Sequence, residues 1–449
     1  MKRPVISERM FLYWTDREHP NTCRMTVRMQ DTIDLTMMQE ALRQTQTRYP
    51  YYSVRLGVTT DANGHEHYEY DDNPAPWVLN IGQEPVELFG AASHYHQLAF
   101  ACWDDCVAID FFHGLTDGTG AYNVLRTLMY EYCRRRYDGS LSSEGIRKVG
   151  ETIDESEWID PASLPKPELH ALPVPPLPKA INLITDAVCP LRERYEVTNI
   201  RVAEQQLMDY VRRNDTSPAT LMSLLMARAI NQLHPDSGEA VPVVTMGANQ
   251  RPAVHAPQAC QSITSAVFLP LTDDIRHADF ETQQTAFRGI TLLQNDTDTM
   301  AARFWQSKEG SDRVDQLPTV AARHEAMKGL TQRTLAMGSC FISYVGKANF
   351  GAAEHYIREM YTEVYSAHAL GAEISAIGGT FCISFMQLFT TDVYLNAFLS
   401  ELKQIGLDYT VLERRPIRVA PVADYRTHTC NALESWYQHV MKKINKNHF

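Results

Sequence analysis

Apolar and polar residues alternate along Cys23–Met29 (CRMTVRM), the two-residue period of a half-buried strand. The period then changes. DLTMMQEALRQTQTRYP offers Asp34 as an N-cap, apolar residues at helical spacing, and Pro50 beyond the end. YYSVRLGVTTDANGHEHYEY has strand-like flanks around Asn63-Gly64, a dipeptide suited to a tight hairpin. LAFACWDDCVAIDFFH predicts a second hairpin turning at Asp104-Asp105. From Gly118 onward, Val124, Leu125, Leu128, Met129 and Tyr132 share one helical face, with basic residues in the last turn and Gly139 just past it.

Periodicity fails at DPASLPKPELHALPVPPLPKA (Asp160–Ala180), where closely spaced prolines exclude helix and central strand alike. This segment divides the chain into residues 1–165, a connector over 166–180, and residues 181–449. Beyond it, SPATLMSLLMARAINQL has Ser217 as N-cap, Pro218 at the first helical position and an almost wholly apolar sequence, which predicts a buried helix. VPVVTMG, SITSAVFLPL, SCFISYVG and GTFCISFMQLF read as strands, with a polar helical stretch from about Ile275 to Met300. TDVYLNAFLSELKQIG reads as a capped helix between the last strand and the tail. Irregular alternation of strands and helices, with hairpins, predicts an α+β architecture with mixed sheets rather than a doubly wound parallel fold.

Composition narrows the function. A net charge of −12 argues against a general binder of nucleic acid or of anionic membrane, since phosphate contacts need a basic face. The basic clusters, Arg134–Arg136 and Lys442, Lys443 and Lys446, are short enough to be solvated helix ends. No apolar run reaches the length of a membrane span, and the first residues lack the pattern of a secretory leader. Nine cysteines without a C-x-x-C pair suggest reduced thiols in a cytoplasm, with no disulfide framework or zinc site. HEHYEYDD (His65–Asp72) and HYH (His94–His96) place pairs of metal-binding side chain types on one strand face, but without metal-site spacing; no metal is expected.

The stretch IDFFHGLTDGTG (Ile109–Gly120) carries the candidate chemistry. His113 closes an apolar run, and after three intervening residues Asp117-Gly118 opens a helix. The plainest account is a strand-end histidine followed by an Asp N-cap. The spacing H-x-x-x-D-G, between a strand and an amphipathic helix and a quarter of the way along a chain that splits in two, resembles the chloramphenicol-acetyltransferase-like superfamily. Its members include condensation domains, BAHD acyltransferases, alcohol acetyltransferases and polyketide-associated acyltransferases. ERMFLYW, the helix ending in TRYP, SPATLMSLLMARAINQL, TMGANQRP, QSITSAVFLPLTDD and ISYVG are similar to further segments of that family, so the likeness spans most of the chain. Three motif features depart from it: Phe112 stands where condensation domains carry a second histidine, the D-F-G-W-G box of BAHD enzymes is absent, and so is the Gly-Asn often seen near the position of QSITS.

The resemblance implies two similar subdomains with a central tunnel between them and His113 midway. It implies a stand-alone acyltransferase that moves an acyl group from a coenzyme A or carrier-protein thioester to a small-molecule alcohol or amine. His113 would be the general base, a role that suits imidazole because its pKa lies near neutrality. No permanently bound cofactor is implied; the acyl-CoA or acyl-phosphopantetheine is a co-substrate, and an acyl carrier protein is a possible partner. Asp117 would brace the turn by pairing with an arginine, for which Arg251 in NQRP is the candidate, while Gly118 permits close backbone approach. An oxyanion donor is expected from Ser262, Thr264 or Ser265. Competing readings are a catalytically silent relative that binds a lipid or a partner protein, and a condensation-type enzyme that forms amides.

Overall fold

A computed structural model describes residues 4–137, 139–365 and 368–428. The first part of the chain runs α1 (Ile6–Trp14), β1 (Thr22–Met29), α2 (Leu35–Arg48), β2 (Val54–Thr60), β3 (Glu66–Asp72), β4 (Leu79–Ile81), β5 (Leu98–Trp103), β6 (Cys106–Phe112) and α3 (Gly118–Arg136). After a largely irregular segment come β7 (Leu191–Ala203), α4 (Glu204–Arg213), α5 (Pro218–Leu233), β8 (Val243–Asn249), β9 (Thr264–Pro270), α6 (Asp273–Arg276), α7 (Phe280–Gln294), α8 (Thr297–Asp315) and α9 (Val320–Leu335). The remainder is β10 (Cys340–Lys347), β11 (Ile357–Val364), β12 (Leu370–Ile377), β13 (Thr380–Phe389), α10 (Val393–Gln404) and β14 (Tyr409–Pro416).

These elements build two mixed sheets and a separate β2–β3 hairpin. The first sheet has the order β11-β1-β6-β5-β4, and the second β14-β7-β13-β12-β10-β8-β9. Helices cover one face of each. Met38, Leu42, Leu125, Leu128 and Tyr132 of α2 and α3 pack on Met25, Val27, Ile109 and Phe111 of the first sheet. On the second sheet, Leu224, Leu225, Met226 and Ile230 of α5 and Phe398 and Leu402 of α10 pack on Val244, Ile342, Ile374 and Phe385. Burying each such large apolar side chain contributes roughly 1.5–3 kcal/mol relative to exposure, so α5 is held by packing on nearly every side. Ser217 caps that helix, accepting from the Thr220 amide at 3.2 Å.

The second half contributes to the first sheet and its core. β11 comes from beyond the proline-rich segment, yet it pairs antiparallel with β1 as an edge of the first sheet. Ala420, Val422 and Tyr425 also enter the first core, and the Tyr425 hydroxyl donates to the Leu12 carbonyl at 2.7 Å.

Several expectations need revision. The polar stretch from Ile275 to Met300 is divided among α6, α7 and the start of α8, with α7 and α8 capped by Asp279 and Asp296. β14 follows α10, so GTFCISFMQLF is not the last strand, and Asp392 makes no cap bond. Its carboxylate accepts from Gln387 and Arg414 instead. HYH is not a strand: His94 and Tyr95 both have positive φ, and the ring nitrogens of His94 and His96 lie 2.8 Å from the carbonyls of Pro76 and Ala75. Arg134 and Arg135 pair with Glu131 rather than with solvent alone. Lys442, Lys443 and Lys446 lie outside the described residues.

Candidate active site

His113 follows directly on β6, and its amide donates to the Asn21 carbonyl at 2.9 Å, just before β1. The chain then turns tightly, with the Leu115 amide donating back to Phe112 at 3.0 Å. Asp117 ends the turn as N-cap of α3, accepting from the Thr119 and Gly120 amides at 3.1 Å each. Strand end, turn and cap are thus set by consecutive residues, which fixes the imidazole on a rigid frame.

Asp117 has further donors. Arg251 approaches it end-on through Nη1 at 2.7 Å and Nη2 at 2.8 Å, and the Ile263 amide donates at 3.0 Å. The two ionic side chains are each only 2% exposed. Arg251 also donates from Nε to Ala259 and from Nη2 to Gln261 main-chain oxygens, at 2.7 and 2.6 Å, and from Nη1 to Asn249 Oδ1 at 3.3 Å. All five N–H groups of a guanidinium are thereby used, as are the lone pairs of the carboxylate. The carbonyl of Cys260, between those two acceptors, takes hydrogen bonds from the Tyr52 hydroxyl at 2.6 Å and the Thr116 hydroxyl at 2.7 Å. One buried lattice therefore locks the 259–263 loop onto the turn that carries His113.

Two glycines are steric requirements of that junction. A Cβ on Gly118 would lie 2.3 Å from Val345 Cγ2 of β10, and one on Gly120 would lie 2.3 Å from the Cys260 carbonyl. The start of α3 is pressed against the other half of the molecule at backbone distance.

The same loop brings Ser262 to the imidazole: its hydroxyl lies 3.4 Å from His113 Nδ1 and is fully buried. Thr264, which begins β9 opposite Asn249, is exposed. Ser265, opposite Ala248, is on the face of Met246 and Val267, which pack into the second core. Of the three serine and threonine candidates, Ser262 is the one in contact with His113.

Above the imidazole lies Phe11 of α1, stacked with ring centroids 4.8 Å apart and 17° between planes; Trp14 stacks on Phe11 in turn. His113 is half-buried by area but enclosed by protein, and this enclosure pushes its pKa below 6.5. A bond to its own main chain and the charge of Asp117 oppose the shift without reversing it. The ring meets Ser262 through Nδ1, so Nε2 is the nitrogen on the side away from that hydroxyl. Sequence reasoning overlooked Phe11 and Asn21. For Phe11 a signal existed, the aromatic pair at i and i+3 in ERMFLYW, which presents two rings on one helical face.

Two surface clefts lie elsewhere. One, of about 590 Å³, is between the proline-rich segment (Lys166 to Val174) and α8; the other, about 300 Å³, is between the start of α5, β8 and α8. Neither is lined by His113. Among the described residues no group of three metal-ligating side chains converges, and no helix is long and apolar enough to cross a membrane.

No family model and no curated relative matches the sequence. Solved structures share its fold. F. graminearum TRI101, crystallised with coenzyme A and T-2 mycotoxin, matches with a TM-score of 0.57 and 10% identity over 91% of this chain and 99% of that one. A condensation domain that mediates chain release from the enacyloxin polyketide synthase gives 0.52 and 10% identity, covering 90% of this chain and 82% of its own. Polyketide synthase associated protein 5 from Mycobacterium tuberculosis gives 0.50 and 13% identity, over 89% and 97%. At these identities the likeness is one of fold, extending over about nine-tenths of the chain.

Proposed function

We propose that this chain is an acyltransferase in which His113 Nε2 is the general base and a thioester of coenzyme A or of a carrier-bound phosphopantetheine is the acyl donor. The alcohol or amine acceptor attacks the thioester carbonyl while Nε2 takes its proton. The tetrahedral oxyanion then collapses, the C–S bond breaks, and the imidazolium returns the proton to the departing thiolate. A thioester is reactive enough for direct attack, so neither an enzyme nucleophile nor a metal is required. Ser262, in contact with the imidazole, is our choice among the oxyanion donors, and Asp117, Gly118 and Arg251 are assigned to the frame. The neighbouring fold crystallised with coenzyme A supports this donor class.

One observation carries the reading: His113, its pKa lowered by enclosure, stands on a turn that Asp117 ties to Arg251 and Ile263 of the second half. The geometry also argues against a Ser-His-Asp hydrolase. Ser262 touches Nδ1, and Asp117 gives its oxygens to Arg251 and to three amides, which leaves no carboxylate to orient the ring as in a hydrolase triad. Thiol release from acetyl-CoA and from an acylated carrier protein, over a panel of alcohols and amines, is the test. His113→Ala should fold normally and lose at least about a hundredfold in turnover. Full activity in that variant would overturn the proposal.

A further inference from the structure

The sheet face turned away from the second core carries a band of polar side chains outside the turn that holds His113. Along β12, Leu370, Ala372, Ile374 and Ala376 enter the core, so Gly371, Glu373 and Ser375 face the other way. In register, Glu373 is beside Ser343 of β10 and opposite Ser384 of β13, which is opposite Asn199 of β7. A single rung thus runs Ser343, Glu373, Ser384, Asn199 across four strands.

This rung is buried and under-bonded. Glu373, Ser384 and Asn199 are 8%, 0% and 7% exposed. Among the described residues, Ser384 Oγ, Asn199 Oδ1 and the hydroxyl of nearby Tyr122 have no hydrogen-bond partner, and Glu373 meets the Ser343 hydroxyl rather than a cation. Burial, only partly offset by a hydrogen bond with Ser343, lifts the Glu373 carboxyl to about 7. Buried polar groups are nearly always satisfied, so several unsatisfied ones in one place indicate something that fills the space. Once Glu373 ionises, near pH 7, what the rung lacks is a positive charge: the carboxylate and the amide oxygen of Asn199 only accept, and the hydroxyls do either.

Its location ties it to His113. Tyr122 is one helical turn beyond Gly118, and Gly118 abuts Val345, which shares the Ser343 face of β10. Tyr122 and the Cys23 thiol both feel the Glu373 charge, and Cys23 also feels that of Asp117. Cys23 is paired with Phe111, two residues before His113.

We propose that the rung centred on Glu373 recognises the acceptor substrate, and that it selects one bearing an ammonium group at a distance from the nucleophile it presents to His113. The inference rests on the acyl-transfer reading. An ammonium brings three donors and the missing positive charge; a neutral hydroxyl satisfies the hydrogen bonds but leaves the carboxylate uncompensated. The reacting hydroxyl or second amine remains separate, since a protonated amine is no nucleophile.

The test compares amino alcohols with alkanols and diols of the same length as acceptors of acetyl groups from acetyl-CoA. The wild type should show a KM at least tenfold lower for the amino alcohols. Glu373→Gln should remove that preference, raising the KM for amino alcohols at least tenfold more than the KM for alkanols; Ser384→Ala should weaken it partially. Equal selectivity in wild type and Glu373→Gln, or a preference for diols, overturns the proposal. A second measurement does not need turnover: amino alcohols should raise the Tm of His113→Ala, and not of His113→Ala/Glu373→Gln. Should the wild type release no thiol while that Glu373-dependent shift persists, the acyl-transfer reading fails and the recognition site stands. No shift in either protein overturns the site itself.

Discussion

Replacing Asp117 by Asn keeps the shape of the side chain and removes its charge. Oδ1 can still accept from the Thr119 and Gly120 amides and from Arg251 Nη2. The new NH2 group, however, faces Arg251 Nη1 and the Ile263 amide, both of them donors. A guanidinium 2% exposed is left without its counter-charge, a loss of about 3–5 kcal/mol for a broken buried pair. Against a total stability of roughly 5–15 kcal/mol, that is a large fraction. An aspartate that orients a catalytic histidine behaves otherwise, since its loss costs about 10⁴ in kcat with the fold intact. The assay is therefore twofold: urea titration, and thiol release measured at low temperature on the folded fraction. We expect a sharply lower urea midpoint and a kcat within about tenfold of wild type. Adding Arg251→Met should recover part of the lost stability, with a coupling of about 1–3 kcal/mol. Unchanged stability with a kcat several thousandfold lower would refute the architectural role of Asp117.

Two further outcomes follow from the titrating groups. Because enclosure lowers the His113 pKa, the acid limb of kcat/KM should fall at a pH below 6.5; a limb above that value contradicts the environment described. Glu373 stays protonated in the folded chain up to about pH 7 but ionises near 4.5 when unfolded, so its contribution is complete below 4.5 and lost as the pH rises to 7. Relative to wild type, Glu373→Gln should therefore gain about 3 kcal/mol of stability between pH 4.5 and 8, read by paired urea titrations; a pH-independent difference would exclude it.

The turn around His113 was legible because strand end, turn and N-cap are consecutive residues, each leaving a local mark. Asp34, Ser217 and the two hairpins were legible for the same reason. β11 was not, because IREMYTEV looks like a surface segment. Its two glutamates are in fact buried against arginines: Glu359 lies between Arg28 and Arg201, and Glu363 beside Arg415. Polarity that is paid back by a distant partner carries no periodic signal. The same holds for β7, LRERYEVTNIRVA, whose charged residues mask the buried Val197, Ile200 and Val202. Phe11 and Glu373 reach the site from segments roughly a hundred and more than two hundred residues from His113, where no sequence spacing reports proximity.

The contribution of β11 to the first sheet bears on how the chain matures during synthesis. The first sheet cannot be completed when its own strands leave the ribosome, because the partner of β1 ends at Val364. Until then β1 keeps a row of unpaired main-chain groups along one edge, a template for any other extended chain. Nascent molecules translated closely behind one another would be vulnerable to pairing at that edge, and a slower or chaperoned passage between residues 112 and 364 would protect them.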